Sequence, residues 1–159
     1  MEDVLPPQTE SGAGFERVRI PQFTVFLENR VGNLSGLVRM LEQSGGAVNA
    51  LSIEESADSS LVRVICSEPN SARAILKEGG FSFSETDVLV VELPRRNAKP
   101  LSAICSALLS AEINIHYGYP MLVRPHGPAL VLYVDDPTLA AQILIRKRYV
   151  LIGESDLKA

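Results

Sequence analysis

The chain has 159 residues, 46% of them apolar, no tryptophan and a formal net charge of −4. That composition supports a packed core and excludes global disorder, and the length suits one large domain or two small ones. The acidic balance argues against a nucleic-acid binder, and no run reaches the ~18 apolar residues of a membrane span.

Residues 1–20 carry Pro6, Pro7, Gly12 and Gly14 among polar neighbours and read as a tail. They have neither the basic start nor the apolar middle of a secretory signal, so a cytoplasmic location is expected. Phe23 to Leu27 then reads as a strand. Leu34, Leu37, Val38 and Leu41 recur at i, i+3, i+4, i+7, which predicts an amphipathic helix over about 33–44. A strand over about 47–54 follows, then the polar turn Ala57-Asp58-Ser59-Ser60 and the apolar strand Leu61 to Ile65. Pro69 stands where a second helix begins, a position at which its missing N–H costs nothing. A strand over about 81–86 closes the series.

The same series then starts again. Val88 to Leu93 reads as a strand, and Leu101, Ile104, Cys105 and Leu108 repeat the first helical spacing 67 residues later, predicting a helix over about 100–111. A strand over about 113–122, the turn Pro125-His126-Gly127-Pro128 and a strand over 129–134 come next. Pro137 opens another helix, with Asp136 as its N-cap. The last strand is expected over about 149–154. The class is therefore α+β: two tandem ferredoxin-like βαββαβ units, antiparallel sheets with helices packed on one face. The expected division is a tail at 1–20, one unit at 21–86 and another at 87–159, joined through the short linker Glu85-Thr86-Asp87. Units of about 65 residues bury little surface alone and leave sheet edges open, so the copies should cover each other and the chain should form a homodimer.

Catalytic and metal chemistry find little support. His116 lies in a strand and His126 in a turn, neither with a partner at ligand spacing. The pairs Glu54-Glu55 and Asp135-Asp136 read as a strand end and a helix start. Cys66 and Cys105 are isolated in apolar segments and read as buried, reduced thiols. No phosphate-binding glycine loop is present. Arg146-Lys147-Arg148 reads as a solvated helix end. The expectation is a protein with no cofactor and no metal, and not an enzyme.

The loop Glu28-Asn29-Arg30-Val31-Gly32-Asn33-Leu34 is the distinctive element. A glycine permits close backbone approach, the helix start offers free N–H groups to a carboxylate, and two asparagines add donors and acceptors. A capped turn without a ligand has the same local composition. The run from Phe23 to Ile53 resembles the opening of an ACT domain: an apolar strand, then Asn29, Gly32 and Leu34, an amphipathic helix, and the Ser44-Gly45 pair before the next strand. Val31 stands where the family usually has proline, and Gly46-Ala47-Val48 replaces the family's Ile-Asn-Ile. In the second copy, Ala111-Glu112-Ile113-Asn114-Ile115 resembles that family segment, while the loop Pro94-Arg95-Arg96-Asn97-Ala98-Lys99-Pro100 has no glycine and departs from it.

The resemblance covers about 21–157 and is to stand-alone tandem ACT proteins of bacteria. It implies an amino acid bound at a domain interface through Asn29, Arg30, Val31, Gly32, Asn33 and Leu34, with Arg96, Asn97, Ala98 and Lys99 as the corresponding second loop. It also implies a sensor or regulatory subunit with a regulated enzyme as partner. The alternative is a pure interaction protein with a vestigial ligand site. An RNA-binding βαββαβ module is disfavoured because Leu61 to Ile65 carries no aromatic residue, and a small hydrolase of the same topology because no catalytic set is visible.

Overall fold

The computed structural model describes residues 18–43, 46–122 and 127–158. The residues 1–17, the Ser44-Gly45 pair and His126 with its turn partner Pro125 lie outside them. The elements run β1 (Arg19–Glu28), α1 (Asn33–Gln43), β2 (Val48–Glu55), β3 (Ser59–Cys66), α2 (Pro69–Glu78), β4 (Ser82–Glu92), α3 (Pro100–Leu109), β5 (Ile115–Pro120), β6 (Ala129–Val134), α4 (Pro137–Arg146) and β7 (Leu151–Ile152), with a 3₁₀ turn at Glu154–Leu157. Among the described residues this is βαββαβ twice over, antiparallel throughout, with the four helices on one face.

The two units share a strand. Glu85, Thr86 and Asp87, which read as a linker, lie inside β4, paired with Phe23, Gln22 and Pro21 of β1. The first half of β4 closes the first unit and its second half opens the next. Leu89 faces Arg19 on one edge and Leu132 on the other, so β1 and β6 flank β4 from opposite sides. The order β2-β3-β1-β4-β6-β5 makes one seven-stranded sheet, with the two-residue β7 beside β4. β7 is shorter than the expected 149–154 because Tyr149 is still part of the helix end, its N–H bonding the Leu144 carbonyl.

The sheet curls until its edge strands meet. Ala50 of β2 bridges Met121, and the Leu122 N–H donates to the Asn49 carbonyl at 2.7 Å. Period-2 alternation then sorts the side chains of β4. Phe83, Leu89 and Val91 face the helices, while Val88 and Val90 face the inside of the curl. Three cores result. One lies under α1 and α2 around Phe23, Leu37 and Leu76, and one under α3 and α4 around Leu89, Leu108 and Leu144. The third fills the curl with Ile20, Ile65, Val131 and Ile152 from both units. Leu157 of the terminal 3₁₀ turn joins this third core, and its carbonyl accepts from buried Asn49 at 3.3 Å.

One helix face differs from its sequence reading. On α3 the buried residues are Ile104, Ala107 and Leu108, whereas Leu101 is 53% exposed and Cys105 is exposed. Cys105 is therefore not a buried thiol. Ala107 shares its cluster with Ala140 and Ala141 of α4, and small side chains there let the two helices meet on the alanine side, turning Leu101 and Cys105 outward. Cys66 is buried as expected, and burial pushes its thiol up to about 12, which leaves it an inert packing group.

Candidate functional site

The loop from β1 to α1 is held by its own polar groups. The Asn33 amide donates to the Glu28 carbonyl at 2.9 Å, the Asn33 N–H to the Arg30 carbonyl, and the Gly36 N–H to the Gly32 carbonyl. Gly32 has φ +90°, a conformation that side chains rarely adopt, and a Cβ placed there would meet no atom within 4 Å. The glycine serves the backbone path and leaves open space beside it. Arg30 pairs with Glu28 at 2.9 Å on the surface.

Beside this loop lies a cavity of about 210 Å³. Asn29, Arg30, Asn33 and Leu34 line it from the loop, and Ile53, Glu55 and Val62 line it from β2 and β3. The Asn29 amide donates to Glu55 Oε1 at 2.7 Å across its mouth. From sequence Glu55 reads as part of a strand end, away from this loop; only the pairing of β2 with β3 beside β1 brings it there. A lone carboxylate at a strand end carries no local signal of that neighbour. Val31 is fully exposed, and neither it nor Gly32 lines the cavity.

The second loop sits differently. Arg96, Asn97 and Ala98 line an open cleft of about 420 Å³ whose other wall is Lys147, Arg148 and Tyr149, the residues just after α4. The Lys99 N–H donates to Asn97 Oδ1 at 2.9 Å, an Asx-type turn that replaces the glycine loop of the first copy. The two copies thus put their cavities on different sides of corresponding loops.

Between the units, inside the curl, lies a third polar group. Gln22, fully buried, donates to the Tyr117 hydroxyl at 2.7 Å and accepts from the Tyr119 hydroxyl at 2.5 Å. Arg63 lies over the Tyr117 ring at 3.9 Å and pairs with Glu54 at 2.9 Å. Burial holds the Tyr119 phenol well above its ordinary range, so it stays a neutral donor. This cluster ties β1 and β3 of one unit to β5 of the other. His116 is exposed and its ring lies tilted against Tyr133, centroids 5.2 Å apart. Among the described residues no three metal-ligating side chains converge, and no helix is long and apolar enough to cross a membrane.

A family model described as an ACT domain pair matches residues 18–159. The chain belongs to that family. Among solved structures this ACT pair is similar to protein BT0572 from Bacteroides thetaiotaomicron, at 28% identity and TM-score 0.79, over 88% of this chain and 96% of that one. The regulatory subunit of aspartate kinase from Thermus thermophilus, in its ligand-free form, aligns at 11% identity and TM-score 0.57, over 81% of this chain and 92% of that one. The aspartokinase alpha and beta subunits align at 15% identity and TM-score 0.55, over 81% and 92%. At those lower identities the likeness is one of fold. No functionally curated protein matches the sequence.

Proposed function

We propose that this ACT pair is a non-catalytic sensor that binds a neutral, apolar amino acid beside the loop Asn29–Leu34 and reports it to a regulated enzyme. The cavity at that loop carries the reading, because its walls match the three parts of such a ligand. The positive end of α1, with Arg30 beside it, suits the α-carboxylate. Glu55 suits the α-ammonium, with the Asn29 amide holding its carboxylate in place. Leu27, Leu34, Ile53 and Val62 offer an apolar wall for the side chain, where burial is worth ~25 cal/mol per Å².

Gly32 gives the loop its path, and Val31 projects outward, where a second copy of the chain can cover it and complete the site. The loop follows the end of β1 where Phe26 pairs with Ser82, and the residues that line its cavity all belong to the first unit, so a homodimer supplies the missing interface. The second loop, without glycine, supports the fold and does not take the amino acid. Free thiols suit a reducing compartment, so the protein acts in the cytoplasm. Calorimetry with Glu55→Gln tests the assignment. Amino-acid affinity should fall by about tenfold, the worth of one charge-assisted hydrogen bond. If no amino acid binds the wild-type chain, the reading of a pure interaction subunit with a vestigial site takes its place.

A further inference from the structure

The internal repeat sets helix ends beside their counterparts, and among the described residues two that are not glycine, Glu112 and Arg148, take the left-handed conformation at such ends; Arg148 is the one that lines a cleft. Helix α2 ends in a Schellman arrangement: the Phe81 N–H bonds the Leu76 carbonyl, the Gly80 N–H bonds the Lys77 carbonyl, and Gly80 takes φ +69°. Helix α4 ends identically, with Tyr149 bonded to Leu144 and Arg148 bonded to Ile145, yet the left-handed residue is Arg148, at φ +65°. The sequence Glu78-Gly79-Gly80 in one copy becomes Arg146-Lys147-Arg148 in the other. Cations near a helix C-terminus suit the dipole. The dipole does not account for an arginine in a position where glycine costs least.

The facing wall of the cleft is also cationic. Arg96 lies across it from Lys147 and Arg148, and Asn97 and Tyr149 complete the lining, which contains no carboxylate. Arg95 and Lys99 flank the same loop. Among the described residues, none of Arg96, Lys147 and Arg148 has an ion-pair partner, while Arg30, Arg63, Arg73 and Lys158 each have one. Like charges gathered around a concavity in an acidic protein repel one another until an anion joins them.

We infer that this cleft is a second ligand site, separate from the amino-acid loop, that binds a small phosphate-bearing anion. Arg96 and Arg148 present planar forks that grip phosphate oxygens from two sides, Lys147 adds a point charge, and the Asn97 amide adds a donor. Tyr149 gives a flat apolar wall for an organic group attached to the phosphate. The ACT pair would then read two signals on one continuous sheet.

The test is calorimetry of the full chain with ADP and with inorganic pyrophosphate at 50 and 200 mM salt, repeated on Arg148→Gly and Arg96→Gln. Both probes should bind, more weakly at the higher salt. Arg148→Gly should lose about tenfold in affinity, as expected for one charge-assisted contact, while its melting temperature rises because the left-handed strain is relieved. A purely structural arginine would not move the two readouts in opposite directions. Arg39→Gln, a change on exposed α1 surface, should bind as the wild type does. The inference is overturned if neither probe binds at millimolar concentration in 50 mM salt, if Arg148→Gly binds unchanged, or if only a single-stranded DNA oligomer binds.

Discussion

Gln22 is a polar side chain with no exposure, and it satisfies two phenols on β5 from a position on β1. Replacing it with leucine strands both hydroxyls in the curl. Each unsatisfied group costs about 1–3 kcal/mol, so Gln22→Leu should lower the urea midpoint, and adding Tyr119→Phe to it should recover part of the loss. An unchanged midpoint in the single variant would mean that water reaches the cluster. Gly32 has open space around its missing Cβ but a φ of +90°. Gly32→Val should therefore cost about 1–3 kcal/mol from backbone strain alone, and it should abolish amino-acid binding by changing the loop path. A variant that folds less stably yet binds normally would separate the glycine from the site. At this scale the sequence is a partial guide. Asn29, Asn33 and the glycine are visible as a loop of donors and freedom, whereas Glu55 and Val62 enter the cavity only through strand pairing, which leaves no trace in local composition.

At the scale of elements, α2 is fastened to β4 by an ion pair. Arg73 Nε donates to Glu85 Oε2 at 2.8 Å, and a second contact joins Arg73 Nη2 to Glu85 Oε1. The hydrogen bond from Arg73 holds the Glu85 carboxyl below its ordinary value of 4.5. A carboxylate with a depressed folded pKa stabilises the fold above its unfolded pKa, and that contribution disappears as pH falls through the folded value. Thermal melts from pH 7 to pH 3 should show the wild type losing stability below about 4.5. Glu85→Gln should start up to about 1 kcal/mol lower at pH 7, the range of partly exposed pairs, and fall less steeply in acid. Parallel acid profiles for the two proteins would rule out this pair as a source of the slope. The four helices and most strands are legible because each carries a local signature: a 3.6 period, a proline at the first turn, or Asp136, whose carboxylate accepts from the Leu139 N–H at 3.0 Å. Strand β4 is not legible as one element. Glu85, Thr86 and Asp87 are polar because this middle stretch is only half covered, and polarity between two apolar runs reads as a linker.

For the whole molecule, the continuous β4, the β2–β5 contact and the shared inner core make two repeats into one body. The repeat itself is plain from the 67-residue recurrence of helical spacing. The closure of the curl is not, because it depends on edge strands far apart in the chain. Among the described residues several large apolar side chains stay uncovered, Leu101 and Leu109 on α3 among them at 53% and 75% exposure. Together with outward-facing Val31, they support association through a second copy. Sedimentation at tens of micromolar should give the mass of a dimer, and a monomer with and without amino acids would count against it. Calorimetry of the wild-type chain against all the common amino acids tests ligand binding at the Asn29–Leu34 loop. Neutral apolar amino acids should bind saturably, with binding lost in Gly32→Val and weakened in Glu55→Gln. Binding confined to charged amino acids, or an equal response in all three proteins, would contradict that assignment.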